Sequence, residues 1–236
     1  MADKPIVGIT KPEGGDNLAY AAIALAVRLA GGKPETLTTG MSWREAPIDA
    51  LIIGGGSDVF PPHYNQEAIE DAHYDRNRDE MEMYWARTAR NTDLPTLAIC
   101  RGAQVMNVAG GGSLHQELEG VFEDVDYPST LPGHILYRKT IETTDGSLIR
   151  DILGKASVRV NSIHKQAIAR IGKNLVITAR EPNGVVQAIE DPSKTFYLGV
   201  QFHPEFLTYR GRFRRIFERL VSAAYQARTT SPQPQS

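Results

Sequence analysis

The clearest indication of the fold is the segment Leu94-Pro-Thr-Leu-Ala-Ile-Cys100-Arg-Gly-Ala-Gln-Val-Met-Asn-Val-Ala109, which three glycines follow. Residues 94–99 form a short apolar run typical of a buried strand. Residues 101–109 resemble a helix that the glycines close. Cys100 therefore lies at a junction between a strand and a helix. In a parallel sheet such a junction opens at the carboxyl edge, where ligands bind.

Upstream of this junction, short strands alternate with helices. Strands are predicted at residues 5–10 and 50–53, and amphipathic helices at residues 18–29 and 78–90. Such alternation predicts an α/β fold in three αβα layers, with a mostly parallel central sheet that is covered on both faces.

Downstream of residue 130 the pattern changes to an antiparallel one. Turn signals separate predicted strands at residues 135–143, 158–161, 175–180, 185–190 and 196–202. A final amphipathic helix is predicted at residues 210–228. With no repeat and no linker, we predict one domain over residues 1–228 and a polar, disordered tail at residues 229–236.

The composition excludes several classes of protein. Hydrophobic residues make up 41% of the 236 residues, and the formal net charge is −2. This balance argues against a nucleic-acid partner, because no basic excess exists to contact phosphates. The one cysteine excludes an internal disulfide and favours a reducing compartment. Since the N-terminal apolar run is too short for a signal peptide and no run is long enough to span a membrane, we predict a cytoplasmic protein.

Cys100 is a candidate nucleophile. A strand–residue–helix turn presents its middle side chain outward, and the positive end of a helix favours a thiolate. The backbone N–H of Arg101 is a candidate donor to an oxyanion. The alternative is that Cys100 is a small core residue, as most lone cysteines are.

A second candidate pair lies in Gly199-Val-Gln-Phe-His203-Pro-Glu205. Pro204 favours an extended conformation at His203, and alternate residues of an extended segment point to the same side. His203 and Glu205 can then face the cysteine together, although their direct contact needs a turn there, and the carboxylate would orient the imidazole. The alternative is an exposed histidine at a strand end beside an unrelated glutamate.

Both motifs resemble those of the class I glutamine amidotransferase-like superfamily. Residues 98–104 resemble its Gly-x-Cys-x-Gly-x-Gln elbow, with Ala98 in place of the first glycine. The run from Cys100 to Gln116 is similar to the peptidase C26 branch of γ-glutamyl-GABA hydrolases. The resemblance covers residues 5 to about 209. It implies a flavodoxin-like sheet and a catalytic triad of Cys100, His203 and Glu205, without a metal or cofactor.

A glycine-rich loop follows the predicted strand at residues 50–53. Gly54-Gly55-Gly56-Ser57-Asp58 resembles the family's Pro-Gly-Gly-Gly-Asp loop, which implies an oxyanion donor at Gly55 or Gly56. A phosphate-binding loop and a plain turn are the alternatives. The loop lacks the Lys-Ser/Thr of a P-loop.

The resemblance also implies residues that bind the substrate. Gln104 stands where the superfamily holds the glutamyl head group, and a helix-surface glutamine is the alternative. Residues 160–166 resemble a pocket-lining segment of the branch. Asn161, Ser162 and His164 are therefore candidates to bind an α-amino and an α-carboxylate group, and a solvated loop histidine is the alternative.

The remaining charged and histidine residues receive weaker predictions. His63, His73, His115 and His134 lack metal-ligand spacing, and we predict no metal site. The charged stretch at residues 76–79 is typical of a solvated helix start, although the Arg-Asp pair of the resembled family stands at Arg78 and Asp79 and gives them a structural or rim role.

The resemblance implies an enzyme that hydrolyses the γ-glutamyl amide bond of a small γ-glutamyl amine, such as γ-glutamyl-GABA of polyamine catabolism, through a thioester. GABA, putrescine, another amine and a longer γ-glutamyl chain all stay open as the amine half. One rival is a glutaminase module that delivers ammonia to a synthase, and another is a non-catalytic binding protein. Dimers are common in the resembled group, which makes a homodimer one expectation.

Overall fold

The computed structural model describes residues 3–70, 74–123, 125, 137–162 and 164–230. Its strands, in chain order, are β1 (Ile6–Thr10), β2 (Lys33–Leu37), β3 (Ala50–Ile53), β4 (Thr96–Ile99), β5 (Ser113–His115), β6 (Lys139–Thr143), β7 (Ser157–Val160), β8 (Ala167–Arg170), β9 (Val176–Arg180), β10 (Val186–Glu190) and β11 (Tyr197–Val200). Its α-helices are α1 (Asn17–Leu29), α2 (Arg76–Thr92), α3 (Arg101–Ala109), α4 (Leu148–Leu153) and α5 (Gly211–Thr230).

Within the described residues, nine strands form the central sheet in the order β2-β1-β3-β4-β11-β10-β9-β6-β7. The first five run parallel, and their order follows the flavodoxin pattern with β11 in the fifth place. The other four add to β11 as antiparallel neighbours. This confirms the predicted fold class, including the added antiparallel section.

Two apolar clusters cover the two faces of the sheet. One packs α1, α4 and α5 against one face, with Phe213 and Phe217 among its fully buried members. The other packs α2 and α3 against the opposite face and includes Met81 and Trp85. A sheet between two helical layers therefore supports the carboxyl edge on which the candidate site lies.

Several elements depart from the predicted pattern. Strands β2, β5 and β8 and the short helix α4 were not predicted, and β5 pairs with β8 in a separate two-stranded sheet. β11 ends at Val200 rather than at residue 202. α5 continues to Thr230, past the predicted boundary at residue 228, whereas the rest of the predicted tail lies outside the described residues.

Candidate active site

Cys100 joins β4 to α3 in a strained turn, at the predicted place. Its backbone has φ 53° and ψ −110°, a conformation that a residue with a side chain rarely adopts. Its N–H donates to the carbonyl of Val200 at 2.7 Å. Gly102 permits the turn, since a Cβ there would collide with the backbone carbonyl of Ile53. The thiol side chain is thus held at the sheet edge by its own backbone and is 8% exposed.

His203 lies between Cys100 and Glu205. Its Nδ1 is 2.8 Å from Glu205 Oε1, and the same ring also hydrogen-bonds to the thiol of Cys100. Because a carboxylate can only accept, Nδ1 donates to Glu205, which leaves Nε2 for the sulfur. The three predicted residues are therefore brought together in one line.

The turn after His203 produces this contact. His203 has φ −103° and ψ 85°, and a 3-10 helix begins directly after it at Pro204–Leu207. Glu205 reaches the ring because this helix turns the chain back, which is the turn geometry that direct contact was predicted to need. The carboxylate is almost fully buried, whereas 24% of the His203 side chain is exposed.

The surroundings of His203 favour its charged form. Burial lowers the pKa of this histidine, but the charges of Cys100 and Glu205 and their hydrogen bonds to the ring outweigh burial. The pKa of His203 is therefore well above its ordinary value. This direction favours an imidazolium, which is the state that can protonate a leaving amine.

Gln201 also contacts the thiol of Cys100, and no role was predicted for it. Its Nε2 lies 3.5 Å from Cys100 Sγ, and its Oε1 accepts from Gln104 Nε2 at 3.1 Å. Gln201 stands two residues before His203 in the quoted motif, so the alternation argument used for His203 could have placed it on the cysteine side.

The glycine loop (residues 54–56) faces the side chains of Cys100 and His203. A Cβ built on Gly55 would lie 3.2 Å from His203 Cε1 and 3.8 Å from Cys100 Cβ, so only a hydrogen atom separates this backbone from both. At Gly56, with φ 145°, a Cβ would collide with the guanidinium of Arg78. The loop can therefore lie this close to the thiol only because both residues are glycines.

The N–H groups around the thiol differ in their availability. The N–H of Gly54 donates to Thr10 Oγ1 at 3.1 Å and is not free. Within the described part of the chain, the N–H groups of Gly55, Gly56 and Arg101 donate to no acceptor. All three predicted oxyanion donors thus stay available, with Gly55 the loop glycine that directly adjoins Cys100 and His203.

Beneath the loop lies a buried ion network of Arg78, Asp79, Glu82 and Arg101. Each of these side chains is at most 1% exposed. Arg101 contacts both carboxylates, and Arg78 Nε donates to Glu82 Oε1 at 2.8 Å. The prediction of a solvated helix start is wrong for Arg78 and Asp79, and their alternative structural role fits. The helix face that carries them packs under the site instead of facing water.

The network carries two negative and two positive charges. Burial raises the pKa of Glu82, but the charges of Arg101 and Arg78 and hydrogen bonds from Thr10 and Arg78 outweigh it and lower that pKa below its ordinary value. For Asp79, burial outweighs Arg101 and raises the pKa. Mutual pairing therefore keeps at least Glu82 ionised inside the protein.

The network also holds the glycine loop. Arg78 Nη2 donates to the carbonyl of Gly55 at 2.5 Å and to that of Gly54 at 3.4 Å. Thr10 donates to Glu82 Oε1 at 2.6 Å while it accepts from the N–H of Gly54. Both carbonyls are thus turned toward Arg78 and the N–H of Gly54 is held by Thr10, so the network fixes the backbone of the loop at Gly54 and Gly55.

The predicted pocket segment (residues 161–162 and 164–166) lies beside His203. The carbonyl of Asn161 accepts the N–H of His203 at 3.2 Å. The side-chain atoms Asn161 Oδ1 and Ser162 Oγ are buried and have no hydrogen-bond partner within the described residues. Buried polar atoms without partners are rare, and these two belong to the segment whose backbone bonds to His203.

His164 is a neutral residue and not a cationic one. Its Nδ1 lies 2.7 Å from the carbonyl of Gln166 and must donate to it, so Nε2 is an acceptor, 3.4 Å from the amide of Gln187. Burial, only partly offset by the bond to Gln166 and reinforced by the charges of His203 and Lys139, lowers the pKa of His164 to about 4. The alternative of a solvated loop histidine does not fit this environment.

Gln104 is a buried residue behind the thiol. Its Nε2 donates to the carbonyl of Gln166 at 2.8 Å as well as to Gln201. The alternative of a helix-surface glutamine is therefore wrong. Both amide hydrogens serve the protein, and only the carbonyl oxygen of the side chain is left for a ligand.

The other predicted histidines are scattered. His63 lies 3.6 Å from Asp79 at the edge of the ion network, and His115 packs against the ring of Phe122. His73 and His134 lie outside the described residues. Among the residues that the structure describes, His, Cys, Asp and Glu side chains form no group of three that could hold a metal ion.

Comparison with known families assigns the chain. The Peptidase C26 family model matches residues 13–205, a span that contains Cys100, His203 and Glu205. The chain belongs to the peptidase C26 family. Among the described residues, no helix combines the length and the apolar character that crossing a bilayer requires.

Relatives in this family carry two kinds of name. A protein of Mycobacterium tuberculosis, named provisionally as a glutamine amidotransferase, is 36% identical over 190 residues, which are 79% of this chain and 60% of that protein. The γ-glutamyl-γ-aminobutyrate hydrolase of Escherichia coli K12 is 32% identical over 183 residues, which are 75% of this chain and 72% of that enzyme. Family and relatives together support a hydrolase.

Solved structures extend the likeness of the fold. A protein of Thermoplasma acidophilum, named provisionally as a subunit of GMP synthase, has a TM-score of 0.70 at 15% identity, over 97% of this chain and 98% of that one. The glutaminase domain of Trypanosoma brucei CTP synthase, with bound acivicin, has a TM-score of 0.64 at 16% identity, over 95% and 94% of the two chains. The protein therefore has the class I glutamine amidotransferase fold.

Proposed function

We propose that the protein hydrolyses the γ-glutamyl amide bond of small γ-glutamyl amines, of which γ-glutamyl-GABA is the first candidate. The observation that carries this proposal is the line formed by Cys100, His203 and Glu205, with Nδ1 2.8 Å from Oε1. Membership of peptidase C26 and the likeness to a γ-glutamyl-γ-aminobutyrate hydrolase support the choice of substrate.

In the first half-reaction, Cys100 acts as the nucleophile. Its thiolate attacks the γ-carbonyl carbon, and the negative charge moves to the carbonyl oxygen. The free N–H groups of Arg101 and of Gly55 or Gly56 stabilise this oxyanion. The C–N bond then breaks as the imidazolium of His203 gives its proton to the departing nitrogen, which leaves a γ-glutamyl thioester and a free amine.

In the second half-reaction, neutral His203 removes a proton from water, which attacks the thioester. Collapse of the tetrahedral intermediate releases glutamate and returns the thiolate beside an imidazolium. Glu205 holds the ring in the tautomer that both steps need and stabilises its positive charge. The sum is one amide and one water converted into glutamate and an amine.

The pocket segment supplies groups that fit a glutamyl head group. The oxygen atoms of Asn161 and Ser162 suit an α-ammonium group, while the Ser162 hydroxyl can also donate to an α-carboxylate. The remaining side-chain oxygen of Gln104 is a further acceptor. This polarity supports a zwitterionic substrate over an apolar acyl group.

The test is a hydrolysis panel with γ-glutamyl-GABA, γ-glutamylputrescine, glutamine and a folate polyglutamate. Wild type and Cys100→Ala are run together, and released glutamate is measured. We expect turnover of a γ-glutamyl amine by wild type and none by the variant. Equal release by both proteins would contradict the role of Cys100.

A glutaminase that passes ammonia to a synthase is the second candidate, because the M. tuberculosis relative carries an amidotransferase name. The same panel separates the two. Glutamine as the best substrate, with turnover that rises only when a synthase is added, would favour the glutaminase. Failure of Cys100 to react with a glutamine-analogue electrophile would favour a non-catalytic binding protein.

A further inference from the structure

A second, strongly basic site lies away from the thiol, between the edge of the sheet and the start of α5. An open groove of about 650 Å³ is bounded by β7, the turn after α4 and the first residues of α5. Five cationic side chains line it: Lys155, Arg159, Arg210, Arg212 and Arg215. Among the described residues, no aspartate or glutamate lines this groove.

Two of the five side chains are held in place by neighbours other than carboxylates. Arg215 Nε donates to the carbonyl of Ile152 at 2.8 Å, at the end of α4. Arg210 lies over the ring of Tyr209, 5.5 Å from its centroid, and hydrogen-bonds to its phenol. These contacts orient the guanidinium groups but do not neutralise them.

The other three lack even such partners. Lys155, Arg159 and Arg212 donate to no acceptor and form no ion pair within the part of the chain that the structure describes. Like charges at this density repel one another, while the whole protein has a net charge of −2. Positive charge is therefore concentrated in one groove of a protein whose net charge is negative.

The shape and chemistry of the groove select one class of ligand. Guanidinium groups match phosphate oxygens in pairs, and four of the five cations are arginines. The volume falls within the range of about 300–1,000 Å³ that is typical of small-molecule sites. A nucleic acid would need a longer basic track, which the slightly acidic protein does not offer.

We propose that this groove binds a small molecule that carries two or three linked phosphate groups. The N–H groups of Gly211 and Arg212 at the start of α5, a helix of 20 residues, donate to no acceptor among the described residues and add positive potential to the arginines. The proposal concerns a place other than the thiol and does not depend on the proposed hydrolysis.

The test is isothermal titration of the intact protein with inorganic tripolyphosphate, ATP and orthophosphate at about 0.15 M salt. The groove variant is Arg159→Gln/Arg212→Gln. The matched control is Arg87→Gln/Arg219→Gln, which removes two exposed arginines outside the groove and so lowers the net charge equally. Melting temperatures of all three proteins check that they are folded.

We expect tripolyphosphate to bind wild type and the control within about twofold of each other, and the groove variant at least tenfold more weakly, since each lost charged hydrogen bond costs about tenfold or more. Orthophosphate should bind much more weakly than tripolyphosphate. Equal affinity for ATP means that the phosphates alone are recognised. Tighter ATP means that the groove also holds the nucleoside, and both results support the proposal.

Three results would overturn it. The first is no binding of tripolyphosphate to wild type. The second is an equal loss in the groove variant and the control, which would mean a general effect of net charge. The third is tighter binding of poly-L-glutamate than of tripolyphosphate, which would assign the groove to an acidic polypeptide.

Discussion

Two ionic groups adjoin the same turn, and they differ in what their charges can do. The buried ion network pairs Arg78 and Arg101 with Asp79 and Glu82, and each side chain is at most 1% exposed. The line of Cys100, His203 and Glu205 includes a histidine side chain that is 24% exposed. The fully buried charges of the network fix the local structure. The partly exposed imidazole of His203 can instead release a proton and take it up again.

The largest expected effect is a loss of turnover with little change in stability. Cys100→Ala should lower turnover by at least about 10⁴-fold, because it removes the sulfur that the proposed reaction requires. Its unfolding free energy should change little, since the ion network is untouched. Glutamate release and denaturant unfolding measure the two quantities. The same variant should lower the pKa of His203 in an NMR titration, as it removes one of the groups that raise it.

Arg101→Ala should lower the stability of the protein, whereas Cys100→Ala should lower its turnover. It leaves the carboxylates of Asp79 and Glu82 buried without their main partner, at a cost of about 3–5 kcal/mol in unfolding free energy. Urea unfolding measures this loss. Arg219→Ala, at an exposed position of α5, is the control and should change stability by less than about 0.5 kcal/mol. A similar small change in both variants would contradict a structural role for the network.

Glu205→Gln tests the line of Cys100, His203 and Glu205 with a milder change, because the amide keeps the size of the side chain and removes its charge. A neutral amide no longer raises the pKa of His203, so the imidazolium loses its proton at a lower pH. Turnover should fall by about a hundredfold, and the alkaline limb of kcat/KM should move to lower pH. A pH profile of both proteins measures the shift. An unchanged alkaline limb with reduced turnover would mean that Glu205 acts only by packing.

The smallest expected effect concerns the hydroxyl that joins the network to the glycine loop. Thr10→Val keeps the volume but removes the acceptor of the Gly54 N–H and the donor to Glu82. We expect a loss of about 1–2 kcal/mol in unfolding free energy. Thr10→Ser keeps the hydroxyl and should retain most of the stability. Equal losses in both variants would point to the methyl group instead.

The sequence predicts the parallel half of the fold well, because buried strands and amphipathic helices there carry strong periodic signals. The strand at residues 50–53 and the helix at residues 101–109 agree with the structure residue for residue. β2 escaped prediction because Lys33-Pro-Glu-Thr-Leu37 reads as polar and contains a proline. The strand lies at the edge of the sheet, where a proline is tolerated.

The residues of the candidate site that stand in short, recognisable motifs could be predicted from the sequence. Cys100, His203 and Glu205 stand in two short motifs, and the structure brings them together. The buried ion network was not predictable, since Arg78 and Asp79 look like ordinary solvated residues until Arg101 arrives from another helix to pair with them. A local sequence pattern does not show that a charged side chain is buried when its partner lies far away in the sequence.

The hydrogen bond from the N–H of His203 to the carbonyl of Asn161 has a consequence for selectivity. In the proposed reaction it would couple the strip of backbone that receives the substrate to the residue that moves protons. An ill-fitting compound that displaced Asn161 would carry the imidazole out of alignment with the sulfur. Discrimination between amides would then be expressed in the speed of turnover more than in the tightness of binding.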